Sequence, residues 1–137
     1  MNPVDEKIAN YKKKIDFFTD TMAKYKFIIE RAKKAKPLSD EYKTDLFKVE
    51  GCLSQVWVVP KYEDGIMHYM GDSDSHLVRG TLTMILDIYG GKTPKEIIES
   101  EKDLTTELDL GKILTPQRSN GAYNMIKKIK DYAEKLA

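Results

Sequence analysis

Gln55-Val56-Trp57-Val58-Val59 and Ile66-Met67-His68-Tyr69-Met70, joined through Asp64-Gly65, are the stretch that decides the fold of this chain. β-Branched and aromatic residues crowd both segments, the apolar period falls towards two, and Asp-Gly between such runs is a tight-hairpin signal. Residues 45–49, Asp-Leu-Phe-Lys-Val, read as a further strand before them. The spacing therefore predicts a small antiparallel three-stranded sheet, a meander, with Cys52 in the connection between its first two strands.

On either side of this region the period returns to that of a helix. Residues 4–14 read as a short charged helix. A second follows Thr19 or Asp20 as N-cap and runs to about residue 34, with Met22, Tyr25, Ile28, Ile29 and Ala32 as its apolar stripe. Lys12-Lys13-Lys14 and Lys33-Lys34 then form a solvated face, and Pro37 closes the region. After Gly71-Asp72-Ser73-Asp74, whose side chains suit capping, Leu77, Leu82, Ile85, Ile88 and Tyr89 mark a buried stripe ending at Gly90-Gly91. Thr93-Pro94-Lys95-Glu96 spells a capping box with proline at the first helical position. The last helix starts near Thr115-Pro116 and keeps Met125, Ile126, Ile129 and Tyr132 on one face. No repeat or low-complexity linker interrupts the pattern. Residues 1–137 are thus expected to form a single α+β domain, helices packed on the sheet, large enough to bury a core without disulfides or a structural metal.

Cys52 is the one cysteine. It cannot form an intramolecular disulfide, build a thiolate-rich zinc or iron–sulfur site, or complete a dithiol cycle, so sulfur chemistry at Cys52 needs a second molecule. A free cysteine is commonly a small buried hydrophobe. A polar, glycine-led loop can instead expose the thiol and supply backbone N–H groups that favour its thiolate. The net charge of +1, from 23 basic and 22 acidic residues, gives no electrostatic case for nucleic acid. A charged amino-terminal stretch, with no apolar run near the roughly 20 residues of a membrane span, predicts no membrane partner and a cytoplasmic location, where a free thiol stays reduced.

Other constellations compete with a lone nucleophile. Cys52 paired with His68 or His76 would make an independent hydrolase or transferase, the imidazole holding the thiol proton. Each histidine also fits an ordinary surface position, on a strand or in the first turn of a helix. Cys52 with His68, His76 and Asp72 or Asp74 is the ligand set open to a metal- or cluster-binding scaffold, although Asp72-Ser73-Asp74 fits capping as well. Gly90-Gly91-Lys92-Thr93 follows a helix and lacks the first glycine of a phosphate loop. Arg118-Ser119-Asn120-Gly121 sets an arginine at a helix start beside a helix-weakening glycine, which suits docking or anion contact as well as a plain cap.

Taken in order, Lys48-Val49-Glu50-Gly51-Cys52-Leu53-Ser54-Gln55-Val56-Trp57, Gly71-Asp72-Ser73-Asp74 through Arg79-Gly80, Tyr89-Gly90-Gly91-Lys92-Thr93-Pro94-Lys95-Glu96-Ile97 and Leu114-Thr115-Pro116-Gln117-Arg118-Ser119-Asn120-Gly121 resemble the SufE family of sulfur-acceptor proteins. The resemblance implies a SufE/IscU-like α+β fold and a persulfide relay. The family's acceptor cysteine falls on Cys52, which would take the outer sulfur of a cysteine desulfurase persulfide and pass it to an iron–sulfur scaffold complex. It implies a protein that is not an enzyme on its own but stimulates the desulfurase. Pyridoxal phosphate stays with that partner, and no cofactor is expected on this chain. The family shelters this cysteine beneath apolar side chains, protecting a persulfide from solvent and adventitious thiols. Asp74 and Arg118 lie in matching blocks and are expected to support the loop or dock the desulfurase. Two positions depart from the pattern: Ile113 stands where the family usually has histidine, and Gln117 where serine is common. Isoleucine offers no donor there, while sulfur attack itself requires only the thiolate and the partner. Which desulfurase paralogue it would serve, and its oligomeric state, a homodimer included, are left open by the sequence.

Overall fold

The computed structural model describes residues 1–137. Asp64 and Gly65 both take positive φ, 54° and 79°, the geometry a two-residue turn needs to follow the twist of its strands. They join β1 (Val56–Glu63) to β2 (Ile66–Ser73) in antiparallel register, from Val56 opposite Ser73 to Glu63 opposite Ile66. The sheet is two-stranded, which corrects the three strands expected. Residues 45–49 form a turn and then a single bridge between Lys48 and Trp57. Val49 N–H donates to the Val56 carbonyl at 2.8 Å and Val58 N–H to the Phe47 carbonyl at 2.9 Å. Gly51, at φ 80°, then carries the chain away before another pair can form. The α+β class is unchanged. Along β2 a second bridge pairs Met67 with Lys92, and Gly91 N–H donates to the Met67 carbonyl at 2.8 Å. The Gly90-Gly91-Lys92 segment is therefore a backbone clamp on the sheet.

Helices cover this hairpin: α1 (Pro3–Asp16), α2 (Thr21–Glu30), α3 (His76–Tyr89), α4 (Pro94–Glu99), α5 (Leu104–Glu107), α6 (Leu110–Ile113) and α7 (Pro116–Glu134). The second helix ends earlier than its stripe suggested, tightening into a 3-10 turn over Arg31–Lys34. Ile28 and Ala32 are buried, but Met22 is exposed, so the stripe is narrower than expected. Thr93 and Glu96 close the capping box of α4. The short α5 and α6 carry no long periodic pattern and depend on Leu104, Leu108 and Leu110 entering the core.

The core itself lies where α3 crosses the sheet and meets α2 and α7. Val58 and Met67 from the strands, Leu82, Ile85 and Ile88 from α3 and Ile129 from α7 are nearly solvent-free, each contributing about 1.5–3 kcal/mol by burial. Tyr69 O–H donates to the Ile129 carbonyl at 2.8 Å, pinning β2 to the C-terminal half of α7. No helix is long and apolar enough to cross a membrane. The start of α7, the start of α3 and the entry to β1 all meet at one end of the hairpin, where Cys52 lies.

Candidate functional site

Cys52 occupies the segment between the Lys48 bridge and β1 and is half-buried. Beside it lies a cavity of about 20 Å³, walled by Val78 and Thr81 of α3 and by Arg118, Gly121 and Met125 of α7. A cavity needs roughly 10–15 Å³ to admit one water-sized group, so this one has room for about a single such group. The Cys52 thiol donates to the Gly121 carbonyl at 3.6 Å. A Cβ at position 121 would lie 3.4 Å from Sγ, so the glycine keeps the space beside the sulfur open.

The electrostatics differ from the expected thiolate nest. A carbonyl accepts from the thiol, and no backbone N–H donates to Sγ. Burial pushes the thiol pKa up, and the nearby Glu50 charge pushes it the same way. Both favour the neutral thiol. In this conformation the surroundings of Cys52 shelter the thiol rather than activate it.

Asp74 does not cap α3, which corrects the capping role read from the sequence. Ser75 does, its Oγ accepting from Val78 N–H. Asp74 faces the Cys52 loop: its carboxylate accepts from Gln55 N–H at 3.0 Å while its own N–H donates to the Gln55 carbonyl at 3.2 Å. Asp72 is likewise neither cap nor ligand. Arg79 Nε donates to its carboxylate at 2.8 Å, Lys43 lies 3.5 Å from the same group, and Arg79 Nη2 donates to the Ser73 carbonyl at 2.7 Å. This network fixes the end of β2 from which Asp74 reaches the loop. Arg118 stands in the first turn of α7, with its N–H donating to the Thr115 cap at 3.3 Å and Nη1 at 3.5 Å from Ser75 Oγ.

The histidines are elsewhere. His68 is exposed on β2 opposite Lys61, and His76 is the exposed first residue of α3. Neither walls the cavity, and neither is hydrogen-bonded to Cys52. The structure does not assemble a Cys52–His68 or Cys52–His76 pair. Nor does it gather Cys52, His68, His76 and Asp72 or Asp74 as ligands, for no group of three His, Cys, Asp or Glu residues is placed to hold a metal ion. Ile113 is buried with Leu110 and Leu114 in the core and takes no part in the cavity wall.

Two polar residues at the site escape a reading of the sequence. Asn124 Nδ2 donates to the Gly51 carbonyl at 3.1 Å, and Lys128 Nζ donates to the Lys48 carbonyl at 2.7 Å. With Gly121 they stand three and four residues apart, hence on one face of α7. The apolar positions draw attention to the core face of that helix. The signal available is a second, polar stripe beside it.

A family model described as "SufE: Fe-S metabolism associated domain" matches residues 9–133. The chain is 38% identical over 115 residues to an uncharacterized SufE-like protein of Synechocystis sp., covering 84% of this chain and 72% of that protein. An uncharacterized SufE-like protein of Rhizobium etli is 37% identical over 123 residues, covering 86% and 83%. SufE-like protein 1, chloroplastic/mitochondrial, of Arabidopsis thaliana is 34% identical over 131 residues, which are 93% of this chain and 35% of that protein. The backbone matches the solution structure of a hypothetical protein from Thermus thermophilus with a TM-score of 0.77 over 98% of this chain and 97% of that one. At 17% identity the last is a likeness of fold.

Proposed function

The chain belongs to the SufE family, whose domain is associated with iron–sulfur metabolism, and on that premise we propose that it is a sulfur acceptor and activator of a cysteine desulfurase. Cys52 takes sulfur from the desulfurase persulfide and carries it to an iron–sulfur scaffold complex. In the transfer, the Cys52 thiolate attacks the outer sulfur of the partner's persulfide. A new bond forms from Sγ to that sulfur, the partner's S–S bond breaks, and its cysteine leaves as the thiolate. No external oxidant or reductant is needed, because one persulfide is exchanged for another.

The observation that carries this reading is the pairing of a lone thiol with room for about one further atom-sized group. A persulfide adds one sulfur to the thiol. Apolar Val78 and Met125 border that space, which would slow its loss to water or stray thiols. The raised thiol pKa fits a resting state that is inert until the partner draws the loop out. Asp74 ties the loop's exit, and in this scheme Arg118 meets the partner's surface beside it. Pyridoxal phosphate belongs to the desulfurase in this scheme. A reducing compartment such as the cytoplasm suits the free thiol.

The test is a desulfurase assay with and without the protein, wild type against Cys52→Ser. Serine keeps the size but is not a sulfur nucleophile at neutral pH. Sulfur acceptance is expected to vanish while the fold, followed by circular dichroism, is kept. Undiminished stimulation by the serine variant would remove the covalent role.

A further inference from the structure

Residues 50–54 make no backbone–backbone hydrogen bond. The chain is tied before them by the Lys48 bridge and after them at Gln55, through both groups of Asp74. Between those anchors, two hydrogen bonds hold it to α7, beside the packing of Cys52 against the core. One is the thiol's weak hydrogen bond to the Gly121 carbonyl, and the other is the Asn124 amide on the Gly51 carbonyl. Gly51 is also the residue whose φ of 80° sets the direction in which the loop leaves the bridge. A Cβ there would overlap the Asn124 amide, so the side chain lies directly against the hinge.

We propose that Asn124 is a latch: its amide, by holding the Gly51 carbonyl, sets how often the Cys52 loop swings away from α7 and presents its sulfur. Asn124 does not touch Sγ, so it is a positioning residue. Local opening is governed by the few contacts a segment must break, and a segment without main-chain bonds sits at the low-stability end. Removing one of two hydrogen bonds changes its open fraction directly, whereas the same deletion in a laddered strand would be shared among many bonds. The latch bond is exposed, so a partner lying over α7 can compete for either group and release the loop without disturbing the core. Lys128 acts one step back, holding Lys48 at the bridge, and keeps the near anchor in place when the latch opens.

The purpose of the latch rests on the reading of Cys52 as the sulfur acceptor, but its existence is tested without any desulfurase. Alkylation of Cys52 by iodoacetamide is compared for wild type, Asn124→Ala, Asn124→Leu, which keeps the size but loses the donor, and Tyr123→Ala, an exposed neighbour on α7. Loss of one net hydrogen bond predicts about two- to tenfold faster alkylation in both Asn124 variants. The circular dichroism should stay that of the wild type, the melting temperature should fall by only the few degrees that one hydrogen bond is worth, and Tyr123→Ala should match wild type throughout. Unchanged alkylation in both Asn124 variants would overturn the latch. So would acceleration by alanine but not leucine, which would assign the hold to shape, or a loss of native circular dichroism, which would assign the faster alkylation to unfolding. None of these outcomes bears on whether Cys52→Ser abolishes sulfur acceptance.

Discussion

Gly51 and Gly65 stand at opposite ends of β1 with nearly the same backbone, φ 80° and 79°, yet only one of them is engaged by the rest of the molecule. Nothing lies within 4 Å of where a Cβ at Gly65 would be, and its turn needs only to reverse the chain. At Gly51 the Asn124 amide fills that place and bonds the carbonyl. The hairpin turn is specified locally, by two residues of suitable conformation. The Cys52 end is specified by tertiary contact, with Asp74 supplying its carboxylate and N–H, Gly121 its carbonyl and Asn124 its amide to a loop that has no hydrogen-bonded pattern of its own. A connection that other elements hold can also be let go by them, which is what the proposed carriage of a reactive sulfur requires.

The largest effect that would separate the two ends is on docking. If the Cys52 end meets the desulfurase, Arg118→Ala should raise the half-saturation point of desulfurase stimulation by roughly ten- to a hundredfold, the factor corresponding to one charge-assisted contact of about 1.5–3 kcal/mol. Lys61→Ala, beside the hairpin turn, should leave the titration unchanged. Asp74→Ala should act in the same direction as Arg118→Ala through the loop, by freeing Gln55. A titration unmoved by either Arg118→Ala or Asp74→Ala, or moved equally by Lys61→Ala, would return these residues to ordinary helix-end and strand-end roles.

A smaller difference is expected in stability. Alanine at Gly65 must adopt the left-handed region at a cost of about 1–2 kcal/mol. Alanine at Gly51 carries the same cost and also displaces the Asn124 amide, losing a hydrogen bond worth about 1 kcal/mol more. Denaturant unfolding of Gly51→Ala and Gly65→Ala should therefore show the former less stable. Adding Asn124→Ala to Gly51→Ala should cost little beyond Gly51→Ala alone, because the bond is already lost. Equal destabilisation by the two single variants would mean that Asn124 contributes nothing at the hinge.

The same contrast explains what can be read from the sequence. The hairpin, the capping box of α4 and the apolar face of α7 are local or periodic features, and they appear where the pattern puts them. Cys52 is legible as a loop thiol because glycine and polar residues mark the break around it. The third strand is not, since Leu46 and Phe47 look like strand residues but occupy a turn whose pairing depends on where Gly51 turns the chain. Asp74 reads as a cap because Asp-Ser-Asp-Ser offers several capping oxygens, and only the structure shows Ser75 taking that role. Asn124 is harder to find for a similar reason: its partner is a carbonyl 73 residues away, and the polar stripe it belongs to does not say which distant backbone it holds.

The smallest effect is on the titration of the thiol, where the sign can be derived. Burial, and then Glu50, raise the folded-state pKa of Cys52. Arg118 on α7, Asp74 just past β2 and the Asp72–Arg79–Lys43 cluster are further charged groups at this end of the hairpin. A raised acid pKa means that the fold favours the protonated form. The stabilisation is then fully present below the unfolded thiol's pKa and is lost as pH rises through the folded value. The rate of Cys52 alkylation against pH should accordingly inflect at a higher pH in the native protein than in the denatured chain. In Asn124→Ala, which spends more time with the loop released, the inflection should move down towards the denatured value. A native inflection at or below that of the denatured chain would mean that the thiol is not sheltered at this end of the hairpin, and the contrast between a held loop and a free turn would lose its chemical consequence.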